Sequence, residues 1–435
     1  MKKSIIISVV LLIAIIALAY YFSSKPAPNP VVDPPKSTAC TADPAWFVGA
    51  VPEPDYQNFP SDPNNCDFHQ ISWQYFLWLT ETVDNGQLRF ETLFNDQAIN
   101  PNAENPTSHT LGGIVQAGGP AGILIDQNGR AVYTTMMIND IYRNFAIDSS
   151  LYTTNGLKNI APNTNFPNGS FSLKAAWKIV EEGEDASDFY TTSADLYLLK
   201  KEGEKIALSD ETVNQTVALV GFHIAVVVEN HPEFIWATFE HINNSPTIDT
   251  NNNINAPVSD QNYTFYKAGT PAADCNQFNE AIVQLDEATQ KLSPVSQIFR
   301  QYRNGAGDST NNANIDSLNA SVHRQLPNGS VWKNYREVGA IWFKVNNDLV
   351  PNWTPNNDPT PRITGSTRLS NTVIESFTQN IRSENECFSC HNSMAVTNTF
   401  NPSLTVAGKN VLTSHIILQN YLDSVATDKR IDRTK

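Results

Sequence analysis

Charge is scarce in this chain. Only 17% of its 435 residues are charged, and the basic ones are fewest, with 29 Lys and Arg against 44 Asp and Glu and a net charge of −15. An acidic surface repels phosphate backbones, which argues against nucleic acid as a partner. Long apolar runs are absent beyond the first one, and mean hydropathy is −0.32, so most of the chain does not sit in a bilayer. There is no internal repeat, no Gly-rich phosphate loop and no recognisable catalytic triad. Bulk disorder is excluded by 8 Trp, 14 Tyr and 21 Phe, which can bury a core. The polar remainder is largely Asn, Thr, Ser and Gln, as in exported, strand-rich globular proteins.

The one apolar run is the first. Lys2 and Lys3 precede residues 5–22, which end in Tyr20-Tyr21-Phe22. Two readings stay open. A signal peptide would be cleaved near Ala17-Leu18-Ala19. An uncleaved anchor would span about 27 Å as a helix, nearly a bilayer core, with the aromatics at the interface. Either way the rest of the chain is exported to the periplasm, released or held at the inner membrane. Residues 1–24 are therefore the anchor or signal. Residues 25–39, with five prolines before residue 36, form an extended tether.

There are five cysteines. Two lie in Cys387-Phe388-Ser389-Cys390-His391, a C-x-x-C-H motif. The spacing has a chemical reason. Two thiols add across the two haem vinyl groups, one turn of backbone spans them, and the adjacent His391 becomes an axial ligand of the iron. Chance produces this pattern in roughly one chain in a thousand of such composition. A zinc site would need a second pair, and a thioredoxin-like pair would need a βαβ setting; neither is present. One covalent haem c, on Cys387 and Cys390, is the cofactor the sequence implies. Of the other three cysteines, Cys40–Cys66 is the simplest disulfide and Cys66–Cys275 the alternative, which leaves one thiol over.

The expected fold class is α+β. A strand-rich body over residues 40–272 carries one N-terminal helix, over 68–83, capped by Asp67. The aromatic run Trp73–Trp78 is expected in the core. Residues 88–265 read mainly as strands, and residues 217–229 and 234–242 as a hairpin around a turn at Asn230-His231-Pro232, with His231 exposed. Residues 273–435 read as a helical haem-binding region integrated with the body. Its helices are expected over 276–292, from Ser293-Pro294 to 302, over 312–326, after Ser370 up to the motif, and over 410–425. Residues 305–314 and 346–362 read as surface loops.

The second axial ligand is open. His415, on the expected last helix, is the leading candidate by chain order. His223 and His241, in the hairpin, are the alternatives; Met136 and Met137 follow, and an iron with no second protein ligand is a further option. Met394 is too near His391 to cross the haem plane and is expected to pack at the haem edge. Glu240, beside His241, reads as a structural ion pair rather than an acid or base.

Four stretches carry a resemblance: residues 66–80 (CDFHQISWQYFLWLT), Lys174-Ala175-Ala176-Trp177-Lys178, residues 220–243 (VGFHIAVVVENHPEFIWATFEHIN) and residues 370–392 (SNTVIESFTQNIRSENECFSCHN). In these the chain resembles a largely uncharacterised family of exported bacterial single-haem c-type cytochrome-like proteins. The resemblance spans most of the exported chain and implies one integrated unit. It brings no substrate and no second ligand.

Electron transfer in the cell envelope is the leading expectation, with a redox partner that presents a basic patch. A haem enzyme, peroxidase-like or acting on a small molecule, and a haem-based sensor are the alternatives.

Overall fold

In the computed structural model the described residues are 39–83, 86–115, 122–248, 253–379, 386–396 and 405–418. The apolar run over 5–22 and the tether up to residue 38 lie outside them. Among the described residues no helix is long and apolar enough to cross a membrane.

Among the described residues ten strands form: β1 (Phe94–Asn95), β2 (Tyr133–Ile138), β3 (Phe171–Ile179), β4 (Thr191–Glu202), β5 (Lys205–Val228), β6 (His231–His241), β7 (Gln284–Asp286), β8 (Lys291–Ser293), β9 (Tyr335–Phe343) and β10 (Ile363–Gly365). Eight make one sheet in the order β1-β2-β3-β5-β6-β9-β10, with β4 on the first half of β5; β7 and β8 pair apart from it. Every pairing between these strands is antiparallel. The protein is thus a strand-rich α+β fold with few helices.

Residues 217–228 of β5 are almost all buried. They read as a continuous apolar run because the sheet is covered on both faces. One face carries α1 (Asn65–Leu79) and α4 (Ser309–Gln325), the longest helices among the described residues. Asn64 caps α1, and Asp67 completes a capping box at the third helical position. The expected cap was therefore part of the box and not the first residue of it. The core reading of the aromatic run holds: Trp73 meets Phe239 edge-on at 4.9 Å, and Phe76 stacks on Phe239 at 4.5 Å. Cys40 and Cys66 are joined by a disulfide that ties the N-terminal loop to α1, while Cys275 is a buried free thiol.

Several expectations need correction. The hairpin turn is tighter than expected, because Val228 already pairs with His231. Asn230 supplies the left-handed turn residue, with φ of 65°. His231 is consequently inside β6 and buried, its Nδ1 donating to Glu233 Oε1 over 2.9 Å. No helix covers 276–292. Leu285 and Leu292, seven residues apart, face each other across the β7–β8 hairpin instead. Residues 294–302 are not helical either; Ser296 and Ile298 bond Ile125 and Phe265 through their backbone N–H groups. Residues 371–379 form bends and turns, not a helix, and Glu240 accepts from the backbone N–H and hydroxyl of Thr372 at their start. Part of the 305–314 loop is helix, since α4 begins at Ser309 under an Asp308 cap. Two short helices inside the strand region went unread: α2 (Asp140–Asp148) and α3 (Thr154–Asn159). Of the expected helix over 410–425, residues 410–413 form a 3-10 turn and residues 419–425 lie outside the described residues.

The other face of the sheet is covered by the C-terminal part of the chain. Val373, Ile374 and Phe377 pack with Ala176 and Val220. Val406, Val411, Leu412 and Ile416 pack with Ala225, Val227 and Phe234. That cover carries the Cys-x-x-Cys-His motif.

Candidate haem site

Cys387–Cys390 is a single turn of helix, α5. Glu386 caps it: its carboxylate accepts from Phe388 N–H at 2.6 Å and from the Ser389 hydroxyl at 2.7 Å. Phe388, which projects from the turn, is fully buried among Ile341, Phe343, Leu349 and Trp353. So the two residues inside the motif have jobs of their own. Phe388 anchors the turn to the sheet, and Ser389 closes the cap. The turn leaves Cys387 half-buried and Cys390 exposed, both as free thiols. Residues three apart lie on one helix face, which is the arrangement two vinyl groups require. Burial and the neighbouring Glu375 and Glu386 carboxylates push both thiols up. Glu386 itself is raised by burial to about 7.

His391 follows as the cap residue of the turn, its N–H bonded to Cys387 O at 2.8 Å. Its Nδ1 donates to Thr413 O at 3.1 Å. That bond fixes the tautomer and leaves Nε2 as the nitrogen free to ligate a metal. The ring lies between two others: Trp236 of β6 at 4.0 Å and His415 at 4.1 Å between centroids. Burial first, then His415, hold His391 well below the usual imidazole range, so it is neutral and able to bind iron.

Beneath the motif the register aligns one residue from each of five strands. Met136 of β2 pairs with Lys174 of β3, Lys174 with His223 of β5, His223 with Thr238 of β6, and Thr238 with Gly339 of β9. Side chains on neighbouring strands at one register level share a face. Trp236, two residues before Thr238, is on that face too. Glu375 drops into the row from the turns above, its Oε1 3.8 Å from His223 Nδ1. Burial raises Glu375 to about 8, against the pull of Lys174. Burial, with the Lys174 charge, lowers His223 to about 3. Burial also lowers Lys174. A small cleft here is lined by Trp236, Thr238, Gly339, Glu375 and Cys387.

The candidates for a second ligand are spread over the fold. His415 faces solvent, stacks on His391 and donates from Nε2 to Cys390 O at 3.0 Å. His223 is in the row just described. His241 stacks on Phe189 at 3.7 Å and uses both ring nitrogens, one at Asp188 O and one at Asn243 N–H. Met136 is in the row, whereas Met137 points to the helix-covered face and is buried there. Met394 is exposed, with its sulfur 3.7 Å from Asn357 Nδ2. Glu240 is buried in an ion pair with Arg300.

Lys174, Glu375, Trp236 and Thr413 were not singled out from the sequence. A signal existed for the first two. Lys174 and Glu375 are single charges inside otherwise apolar runs, and such a charge is rarely buried without a task. Trp236 and Thr413 left none.

Among the described residues no group of three or more His, Cys, Asp and Glu side chains is placed to hold a metal ion. The motif is therefore not completed into a four-ligand zinc site there. The donor set fits haem c: paired free thiols on one turn, and an adjacent histidine whose second nitrogen is already oriented. Comparison with family models, curated proteins and solved structures gave no match for this chain.

Proposed function

We propose that this is an exported c-type cytochrome-like protein that carries one covalent haem on Cys387, Cys390 and His391 and transfers electrons in the cell envelope. The observation that carries the reading is the α5 turn. It offers both thiols on one face and ends in a histidine whose Nδ1 is held by Thr413 O. Bound haem would supply one-electron chemistry at iron. The chain's own part is to hold it. Phe388 anchors the turn, Glu386 caps it, and Trp236 braces the ring of His391.

Electron transfer is supported by where the thiols lie. Cys390 is exposed at the surface, so a haem edge held there is open to a partner. The net charge of −15 favours a partner with a basic patch. The run over 5–22 would keep the protein in the periplasm, tethered to the inner membrane or released after cleavage.

The test is maturation of the full chain with c-haem assembly machinery, followed by a pyridine haemochrome assay and an intact mass. One haem per chain is expected, lost in Cys387→Ser/Cys390→Ser. A wild-type chain without covalent haem overturns the proposal. Rapid turnover of peroxide by the haem-loaded protein would move the reading from electron carrier to enzyme.

A further inference from the structure

The eight histidines differ in what their ring nitrogens touch. His69 uses both, at Glu337 and Asn311, and His241 uses both as described. His109 and His323 each give Nε2 to a backbone carbonyl, Leu93 O and Tyr335 O. His415 gives Nε2 to Cys390 O. Among the described residues only His223 and His231 keep a buried ring nitrogen with no hydrogen-bond partner, Nε2 in each. A buried polar atom left unpaired destabilises the fold, so each asks for a reason.

His231 is on the wrong side. Its ring meets Phe59 and Phe68 edge-on, at 5.7 and 4.9 Å, and Phe68 belongs to α1. His223 is on the face that carries the motif. It pairs across β6 with Thr238, two residues from the Trp236 on which His391 rests.

We propose that His223 is the second axial ligand of the haem iron, through Nε2. The inference rests on the haem reading above. Glu375 Oε1 stands 3.8 Å from Nδ1 of His223, the nitrogen left over when Nε2 ligates. His415 is then a neighbour of the proximal ring rather than its counterpart. It shares a face with His391 in a stack, whereas axial partners stand on opposite sides of the porphyrin plane.

The experiment uses the haem-loaded full chain and reads ligation, not turnover. The wild type is expected to be low-spin in both oxidation states and indifferent to carbon monoxide. His223→Ala is expected to become high-spin and to bind carbon monoxide, and added imidazole to return it to low spin. His415→Ala and Lys174→Met are expected to stay low-spin. If His223→Ala does not accumulate, His223→Met replaces it. Its expected marks are a methionine-to-iron charge-transfer band and a raised midpoint potential. A high-spin wild type overturns the inference. So does a low-spin, carbon-monoxide-inert His223→Ala or an His223→Met with wild-type spectrum and potential. The haemochrome assay separates the two failures. Haem attached with ligation unchanged in the variants sinks the ligand assignment alone, and no attached haem sinks both.

Discussion

His391 rests on Trp236, with 4.0 Å between ring centroids and 32° between planes. The motif is therefore not held by α5 alone; it leans on the middle of the sheet. Trp236 also packs with Ile341, Phe343 and Phe388. Replacing this half-buried ring by Ala is expected to cost about 2 kcal/mol, less than a fully buried aromatic. Urea unfolding checks the cost. The visible spectrum of the haem-loaded Trp236→Ala chain should still show covalent haem, because neither thiol is touched.

Glu240 is a second anchor for the same segment. It pairs with Arg300 and binds both the N–H and hydroxyl of Thr372, and Arg336 stands opposite it in the register. Arg336 is held down to about 10, first by the Arg300 charge. Glu240→Gln leaves the buried Arg300 guanidinium without its anion, at an expected cost of about 3–5 kcal/mol. Adding Arg300→Met to that variant should recover part of the loss. A double-mutant cycle in urea measures this, and additivity of the two changes would contradict the coupling.

The Cys40–Cys66 bridge closes a separation of 26 residues. Constraining such a loop in the unfolded chain is worth about 3 kcal/mol. Cys40→Ser/Cys66→Ser is expected to lower stability by that amount with the sheet intact. Denaturant midpoints of the variant and the oxidised wild type, with circular dichroism as the probe, give the comparison.

His241 predicts acid sensitivity. Burial, opposed by its bond to Asp188 O, lowers it from 6.5 to about 4. A histidine depressed in the folded state leaves the unfolded chain binding more protons between those values. Its contribution is therefore whole above 6.5 and declines as pH falls toward 4. The expected loss is roughly 3 kcal/mol across that window. His241→Gln, which cannot titrate, should show a smaller drop in stability than wild type between about pH 8 and about pH 4, compared by urea midpoints.

The sequence made some parts of this fold legible and hid others for physical reasons. The β5–β6 pair was visible because β-branched runs flank a turn, and α4 because Ile315, Leu318 and Val322 mark one helical face. The Cys40–Cys66 pairing was the simplest option and is the one formed. Residues 276–302 were misread because Phe278, Ile282 and Leu285 fall at helical spacing, yet their environment is a hairpin and extended segments docked on residues 125 and 265. Residues 371–379 were misread because Val373, Ile374 and Phe377 fall at helical spacing, yet they pack on the sheet from a run of bends and turns. At the site, the motif was plain in the chain. The row from Met136 to Gly339 was not, since it exists only once five strands are in register.

The cover over the motif-bearing face comes late in the chain. Ala176, Ala225, Val227 and Phe234 are buried by residues beyond 370. A ribosome delivers the N-terminal end first, so the central strands can pair while that apolar face still lacks its lid. Until the last segment docks, the nascent sheet is a sticky surface and a client for a holding chaperone. The same delay keeps Cys387 and Cys390 away from the packed body. On the proposed haem reading it would leave both thiols reachable for attachment before Phe388 shuts the turn down onto the sheet.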